Sequence, residues 1–406
     1  MNSQRILLFP AGIAQREAFL AARKLGFEII TVDRNPEAAC FPLADEYAVL
    51  DPGNADALVS YVRRIHAAKR LDGVLLVGCD IPISAARVAA ELGSPGIGLD
   101  AAELTVDKIA MKKRLRSCGV PVPDFYSISG GDEVAEILSR ENRRMIIKPN
   151  DNSGARGVQQ LLPDSDPTAA YEHALANVKR TGVILEVFEE GVQISIEALV
   201  HQGQVDVTGF ADRNYPFLDR FFPYVLENGA TLPTALDANR QGEVIQTFIQ
   251  GIHALGIDNS VAKGDMVLTE EGAKVIEIAG RISGGKFASR IVPESTGVEL
   301  LPAALEMAVG RTPDRKWLTS TRACGVAVRY CFPPPGRVKA IKGLEEVKGY
   351  PGVLEVHVTY EPGDIIPPMR SHPDRGGWLV CKAETRLQVE EVAEKMINKL
   401  VFEVEP

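Results

Sequence analysis

The stretch from Lys263 to Lys286, KGDMVLTEEGAKVIEIAGRISGGK, leaves the chain few ways to fold. Met266 and Leu268 interleave with Asp265, Val267 and Thr269, the period of a strand with one covered face. Glu270-Glu271-Gly272 supplies a turn, and Ala273 to Ala279 returns as a second strand. A three-residue connection, with Thr269 opposite Ala273, sets Asp265 directly across from Glu277 and places both carboxylates on one sheet face. A two-residue loop sends them to opposite faces. Arg281 and the turn Ser283-Gly284-Gly285-Lys286 follow. Two carboxylates beside a guanidinium and flexible backbone suit a magnesium-phosphate centre, because Mg2+ takes one or two carboxylates and leaves its other positions to phosphate oxygens and water. The same residues also describe a solvated hairpin with a surface ion pair. A P-loop is excluded: Gly280 and Gly285-Lys286 have its spacing, but Phe287 stands where the motif needs a hydroxyl.

Upstream, Arg5 to Pro10 reads as a strand, Ala14 to Leu25 as a helix and Phe27 to Asp33 as a second strand, a βαβ unit. Helix Leu58 to Ala68, strand Gly73 to Val77 and helix Ile83 to Leu92 continue an open parallel sheet over about the first hundred residues. The first turn, PAGIAQ, lacks G-x-G-x-x-G, so this domain reads as a scaffold that lends loops to a neighbouring site. Ala101 to Cys118 is helical, and Gly119-Val120-Pro121-Val122-Pro123 stops it. A second βαβ-like block runs through helix Asp132 to Glu141, strand Met145 to Lys148, the loop Asn150 to Gly157, strand Val158 to Leu161, helix Pro167 to Arg180 and strand Val183 to Val187.

The loop, PNDNSGARGV, has the makings of a phosphate cradle: Gly154 and Gly157 let backbone amides close on an anion, Ser153 adds a hydroxyl, and Lys148 and Arg156 add charge. Lys148 ends an apolar strand, where an ammonium costs desolvation unless an anion compensates it. Gln193, Ser195 and Glu197 then alternate with Ile194, Ile196 and Ala198 on a half-buried strand. Loop and short strand follow to Asn228, with Arg213, Asp219 and Arg220 among aromatics, and Ala238 to Leu255 is a long amphipathic helix. Beyond helix Val298 to Val309 the tail is β-rich from about Ala323 and closes on helix Leu387 to Leu400.

A chain of 406 residues, 45% hydrophobic, has room for two or three domains with large cores. Its net charge of −9 argues against nucleic acid as the main partner, so anionic ligands need local positive sites. Six scattered cysteines without a C-x-x-C fit core residues in a reducing compartment. No apolar run approaches the ~18 residues of a membrane span, and a cytoplasmic protein is the expectation.

Four elements stand in fixed order: Asp107-Lys108 before the G-V-P-V-P stop, Lys148 before the Gly-rich loop, Glu186 to Gln193, and Asp265 with Glu277 to Arg281. Together they resemble the ATP-grasp superfamily over nearly the whole chain. The resemblance implies α/β and α+β architecture: an N-terminal open parallel α/β domain (1–104), a central two-lobed ATP-binding domain (105–312, lid lobe about 120–188) and a β-rich C-terminal domain (313–406). It implies that Lys108 and Lys148 contact phosphates and the adenine side, that Ser153, Gly154 and Gly157 form the lid over the phosphates, that Glu186 and the backbone near Glu189 read adenine, and that Gln193 takes the ribose. Asp265 and Glu277 would hold Mg2+, with Mn2+ as the alternative, and Arg281 would meet the transferred phosphoryl group.

Gln193 stands where an acid is common, and Ala279 replaces the Asn of the frequent E-x-N-x-R pattern, which removes one expected oxygen ligand. EIAGRISGG, FPPPG, PGV and EPGD are similar to L-amino acid ligases and related carboxylate-amine ligases. That implies an acyl phosphate made from ATP and a small carboxylate, then attacked by an amine, with Arg213, Arg220, Lys286 and Arg290 as candidates for the substrate carboxylate. A bicarbonate-using carboxylase of the biotin carboxylase or aminoimidazole ribonucleotide type is the rival among enzymes, and a non-catalytic nucleotide-binding regulator the rival outside them. Family members are often homodimers, and nothing in these residues fixes the oligomeric state.

Overall fold

The computed structural model describes residues 3–405. Strands β1 (Arg5–Phe9), β2 (Glu28–Asp33), β3 (Glu46–Val49) and β4 (Gly73–Leu76) form a parallel sheet in the order β3-β2-β1-β4. Helices α1 (Arg16–Lys24), α2 (Ala55–Ala68) and α3 (Pro82–Leu92) flank it, and α4 (Leu99–Leu104) leads out. β1 is buried along its whole length because both faces are covered. Ile6 and Leu8 pack with Ala18, Phe19 and Ala22 of α1, whereas Leu7 and Phe9 pack with Leu58 and Val62 of α2 and Val88 of α3.

The helix expected over Ala101 to Cys118 is two helices. After α4 the chain turns, and α5 (Lys108–Ser117) starts afresh because the Asp107 carboxylate accepts the Ala110 N–H at 2.8 Å. A side chain that caps the backbone in this way defines a new N-terminus.

A second four-stranded sheet, where the lid lobe was expected, holds β5 (Phe125–Ile128), β6 (Met145–Pro149), β7 (Gln159–Leu161) and β8 (Val183–Val187), with α6 (Gly131–Glu141) and α7 (Pro167–Leu175) packed on them. The expected βαβ block is split. β5 and β6 run the same way, joined by α6, but β8 lies between them and pairs antiparallel with both.

The central sheet begins with β9 (Val192–His201), β10 (Gln204–Arg213), β11 (Ala230–Leu232), β12 (Ser260–Thr269) and β13 (Gly272–Ala279). The stretch expected as loop and short strand contains the ten-residue β10, whose alternation is interrupted where Thr208 bulges between the pairs Val207–Ala198 and Gly209–Glu197. Helix α8 (Ala238–Leu255) covers one face of the sheet: Val244, Phe248 and Ile252 pack against Ile194, Ile196, Met266 and Val275. Polar side chains are thereby left to the other face. Short α9 (Val292–Thr296) and α10 (Leu300–Ala308) follow, and Ala303, Ala304 and Met307 of α10 complete the α1 side of the first sheet.

The tail adds β14 (Gly325–Cys331), β15 (Gly336–Lys342), α11 (Leu344–Lys348), β16 (Val353–Val358), β17 (Ile365–Ile366), β18 (Gly377–Ala383), α12 (Arg386–Ile397) and β19 (Val401–Glu405). One antiparallel sheet, β13-β12-β9-β10-β11-β14-β18-β16, runs from the hairpin into the tail, so the C-terminal strands reach the same cleft as the hairpin. Among the described residues no helix is long and apolar enough to cross a membrane.

Gly73 shows how closely α10 docks. A Cβ there would lie 2.0 Å from the Ala308 carbonyl oxygen, with backbone on both sides of the contact. Gly73→Ala is expected to cost at least about 1–3 kcal/mol by overpacking, read as a lower denaturant midpoint; an unchanged midpoint would mean the first sheet is not seated on α10.

Candidate active site

The hairpin solves its register in an unexpected way. Thr269 pairs with Gly272, so the loop has two residues, not three, and the ladder continues through Leu268–Ala273 and Val267–Lys274 to Met266–Val275. An uninterrupted ladder would then set Ile276 opposite Asp265 and turn Glu277 to the other face. Instead Ile276 is extra, a β-bulge, and Asp265 pairs with Glu277. The bulge leaves the Ile276 carbonyl to be satisfied elsewhere, and it accepts a hydrogen bond from Lys112 Nζ at 2.9 Å. Across β12, Asp265 faces Ser195 and Lys263 faces Glu197.

The polar sheet face is a charge lattice. Asp265 is bound by Arg213 Nη1 and Lys263 Nζ, each at 2.5 Å, and Arg213 also pairs with Glu227. Burial pushes the Asp265 carboxyl up, but Arg213 and Lys263 outweigh it and hold it well below the usual range. Glu277 lies 3.3 Å from Lys108 Nζ. Arg281 Nε donates to Asp80 Oδ1 at 2.7 Å. Burial raises Asp80, yet the Arg281 charge and hydrogen bond bring it to about 2.

On the lid side, Glu186 is buried between two ammonium groups, Lys148 at 2.8 Å and Lys112 at 3.3 Å. Glu186 is therefore the anion that Lys148 requires at the end of its strand. Lys112 is fully buried, and burial lowers its pKa to about 8 against the raising effect of Glu186. The loop after β6 is tied on two sides: Lys108 Nζ donates to Asn152 O at 2.9 Å, and Gly154 O accepts the His372 N–H at 3.0 Å. Gly154 (φ +67°) and Gly157 (φ +73°) adopt left-handed backbone there, and a Cβ on Gly157 would meet Asn177 Cβ at 2.6 Å.

Glu189 binds Lys274 Nζ at 3.0 Å, and Gln193 Nε2 reaches Glu189 O at 3.5 Å, so those two stand together at the edge of the hairpin. The expected carboxylate binders disperse. Arg213 turns onto the sheet face, Arg220 is exposed over the rings of Phe217 and Phe221, Arg290 pairs with Glu294 at 3.2 Å, and Lys286 pairs with Glu355 at 3.2 Å.

Several residues escape sequence reasoning. Lys112 had a signal: Lys108, Met111, Lys112 and Leu115 occupy i, i+3, i+4 and i+7, one buried helix face. Asp80 had another, since ligand sites gather beyond the carboxyl ends of parallel strands and Asp80 follows β4. Glu197 appears as one polar residue in an alternating strand, but it is 1% exposed and its Oε1 accepts the Ser283 N–H at 2.6 Å. Burial pushes its carboxyl up to about 7.

Asp265 and Glu277 form a donor set of two carboxylates on one face, with Lys108 and Arg281 close by. Among the described residues no cluster of three His, Cys, Asp or Glu side chains gathers to cage a metal. A pair of carboxylates fits Mg2+, which leaves remaining positions to phosphate and water, better than a metal needing an all-protein shell.

Residues 105–285 match the model of the ATP-grasp domain, and residues 329–405 match that of L-amino acid ligase C-terminal domain 2. The chain is 23% identical over 396 residues to a Sinorhizobium fredii protein, uncharacterized protein y4rH, spanning 95% of this chain and 80% of that one. It is 24% identical over 280 residues to the L-arginine-specific L-amino acid ligase of Bacillus subtilis, spanning 68% of this chain and 66% of that one. The crystal structure of L-amino acid ligase from Bacillus licheniformis superposes with a TM-score of 0.84 at 20% identity, over 100% of both chains.

Lys112→Met leaves the bulge carbonyl unmet and Glu186 with one cation. A loss of about 3–5 kcal/mol is expected, measured as a denaturant midpoint; a loss under about 1 kcal/mol would show that Lys112 does not hold the bulge. Glu197 binds its proton more tightly folded than unfolded, so its contribution makes stability fall as pH rises from 4.5 to about 7. Glu197→Gln is expected to raise Tm by about 2–5 °C at pH 8 and by much less at pH 4.5; an equal shift at both pH values would mean Glu197 is ionised throughout.

Proposed function

We propose that the chain, with its match to the ATP-grasp domain over residues 105–285, is an ATP-dependent ligase of that superfamily that joins a small carboxylate, most simply that of an amino acid, to an amine through an acyl phosphate. The observation that carries this reading is the bulge that sets Asp265 against Glu277 with Arg281 four residues on, across the cleft from Lys108 and Lys148.

On this reading ATP lies between the lobes. Lys108 and Lys148 meet the phosphates and the adenine side, Ser153, Gly154 and Gly157 cover the phosphates, Glu186 and the backbone at Glu189 receive adenine, and Gln193 receives the ribose. Asp265 and Glu277 would hold Mg2+, which would supply charge neutralisation to the phosphates. The substrate carboxylate oxygen takes the terminal phosphoryl group as its bond to ADP breaks. The amine nitrogen then attacks the carbonyl carbon, phosphate leaves with its bonding pair, and nitrogen loses a proton. Arg281, kept charged and aimed by Asp80, stabilises the anionic oxygens of both steps. Arg213, already spent on Asp265 and Glu227, serves to orient Asp265.

Mg-ATP with amino acids offered singly and in pairs should release phosphate only when both a carboxylate and an amine acceptor are present. Glu277→Gln should lower phosphate release at least about 100-fold while nucleotide binding, read by calorimetry, survives. Full activity in that variant would sink the metal assignment, release that depends on bicarbonate would point to a carboxylase, and nucleotide binding with no release for any pair would point to a regulator.

A further inference from the structure

Immediately beyond Arg281 the chain enters a cavity of about 280 Å3 that no step above uses. Three parts of the chain converge on it. Gln15, Ala18 and Val77 come from the first sheet's loops and helix, Ile282 to Lys286 from the turn after the hairpin, and Val328, Glu355 and Trp378 from the C-terminal strands. Its inner wall is apolar, since Ala18, Val77, Ile282, Leu301 and Val328 are buried. On another side His357 and Trp378 stack with ring centroids 5.7 Å apart.

The charged groups at this cavity already have partners. Lys286 pairs with Glu355 at 3.2 Å and sits 5.4 Å over the Trp378 ring, and Glu17 pairs with Arg16 at 3.3 Å. A charged substrate group entering here would lose water without gaining a counter-ion, which is costly, whereas an apolar group loses nothing by desolvation. The turn also keeps the space open: a Cβ on Gly284 would touch nothing within 4 Å, and one on Gly285 would meet only the Tyr330 hydroxyl, at 3.4 Å. Ser283, whose N–H is fixed by Glu197, holds the turn in place between Arg281 and the cavity.

We infer that this cavity receives the side chain of the amino acid whose carboxylate is activated, and that it selects bulky neutral side chains, aromatic or branched aliphatic, over small or charged ones. The inference rests on the ligase reading, in which that carboxylate sits at Arg281. Its chain neighbours Ile282 and Ser283 line the cavity, so the cavity begins one residue beyond Arg281.

The test measures kcat/KM for phosphate release with phenylalanine, leucine, alanine, arginine and glutamate as the activated acid and one fixed amine. Phenylalanine or leucine should exceed alanine, arginine and glutamate by at least about tenfold, the scale of a few methylenes in an apolar pocket. Gly284→Leu, which adds a branched side chain to the turn lining the cavity, should lower the phenylalanine-to-alanine ratio by about tenfold or more. Trp378→Ala, on the opposite wall, should lower it through KM for phenylalanine, and it carries the test if Gly284→Leu does not fold. A preference for arginine or glutamate, or an unchanged ratio in both variants, overturns the inference. Calorimetry with a non-hydrolysable ATP analogue and each free amino acid separates the two readings: no phosphate release with any pair removes the ligase reading, while tighter binding of phenylalanine than of arginine, lost in Trp378→Ala, still upholds the cavity.

Discussion

The hydrogen bond from the buried Lys112 ammonium to the Ile276 carbonyl is the contact on which the site depends. An extra residue in a ladder strands a carbonyl, and a stranded carbonyl under a packed helix is costly. Lys112 removes that cost from α5, and with a second donor it reaches Glu186 on the lid lobe. One side chain therefore fixes the bulge, and so the face on which Glu277 appears, and also joins the hairpin to the lid. The burial that makes the ammonium expensive is offset by Glu186, and Lys148 completes the group from β6. Removing any of the three leaves a buried charge short of a partner, so cluster and register stand or fall together.

Arg281 is held by the same kind of convergence. The first sheet supplies Asp80 from the loop after β4, and Val77 bridges to Ile282 as a short parallel pair. The tail reaches the loop after β6 through His372 and Gly154, and Lys108 reaches it through Asn152. A guanidinium with five donors needs several fixed acceptors before it points one way, and here they come from separate parts of the chain.

How much of this was legible in the sequence follows from how local each cause is. Alternation and apolar runs depend on neighbours a few residues away, so β1, β2 and β4 of the first sheet, α8 and both strands of the hairpin could be read directly, whereas the short, mostly exposed edge strand β3 carries no such run and was not. Asp265 opposite Glu277 was also legible, but through a three-residue turn that does not exist; the two-residue loop and the bulge cancel, and a bulge depends on Lys112, 164 residues distant. β10 was hidden because Thr208 breaks its period, and α4 and α5 read as one helix because helical spacing does not register a carboxylate capping a new start. Asp80 and Glu197 look like ordinary polar residues until tertiary contact buries them.

The local charges also explain how a chain of net charge −9 can present a site for a polyanion. Lys108, Arg213, Lys263 and Arg281 each pair with a carboxylate, so the sheet face is close to neutral and its ionic side chains are already oriented. On the ligase reading Asp265 and Glu277 would hold a divalent cation, which would supply charge neutralisation to the phosphates. Arg281 is held by Asp80, a carboxylate outside that pair, so its orientation does not depend on Asp265 or Glu277. A pre-oriented lattice avoids reorganising solvent during phosphoryl transfer, which is where such sites derive their rate.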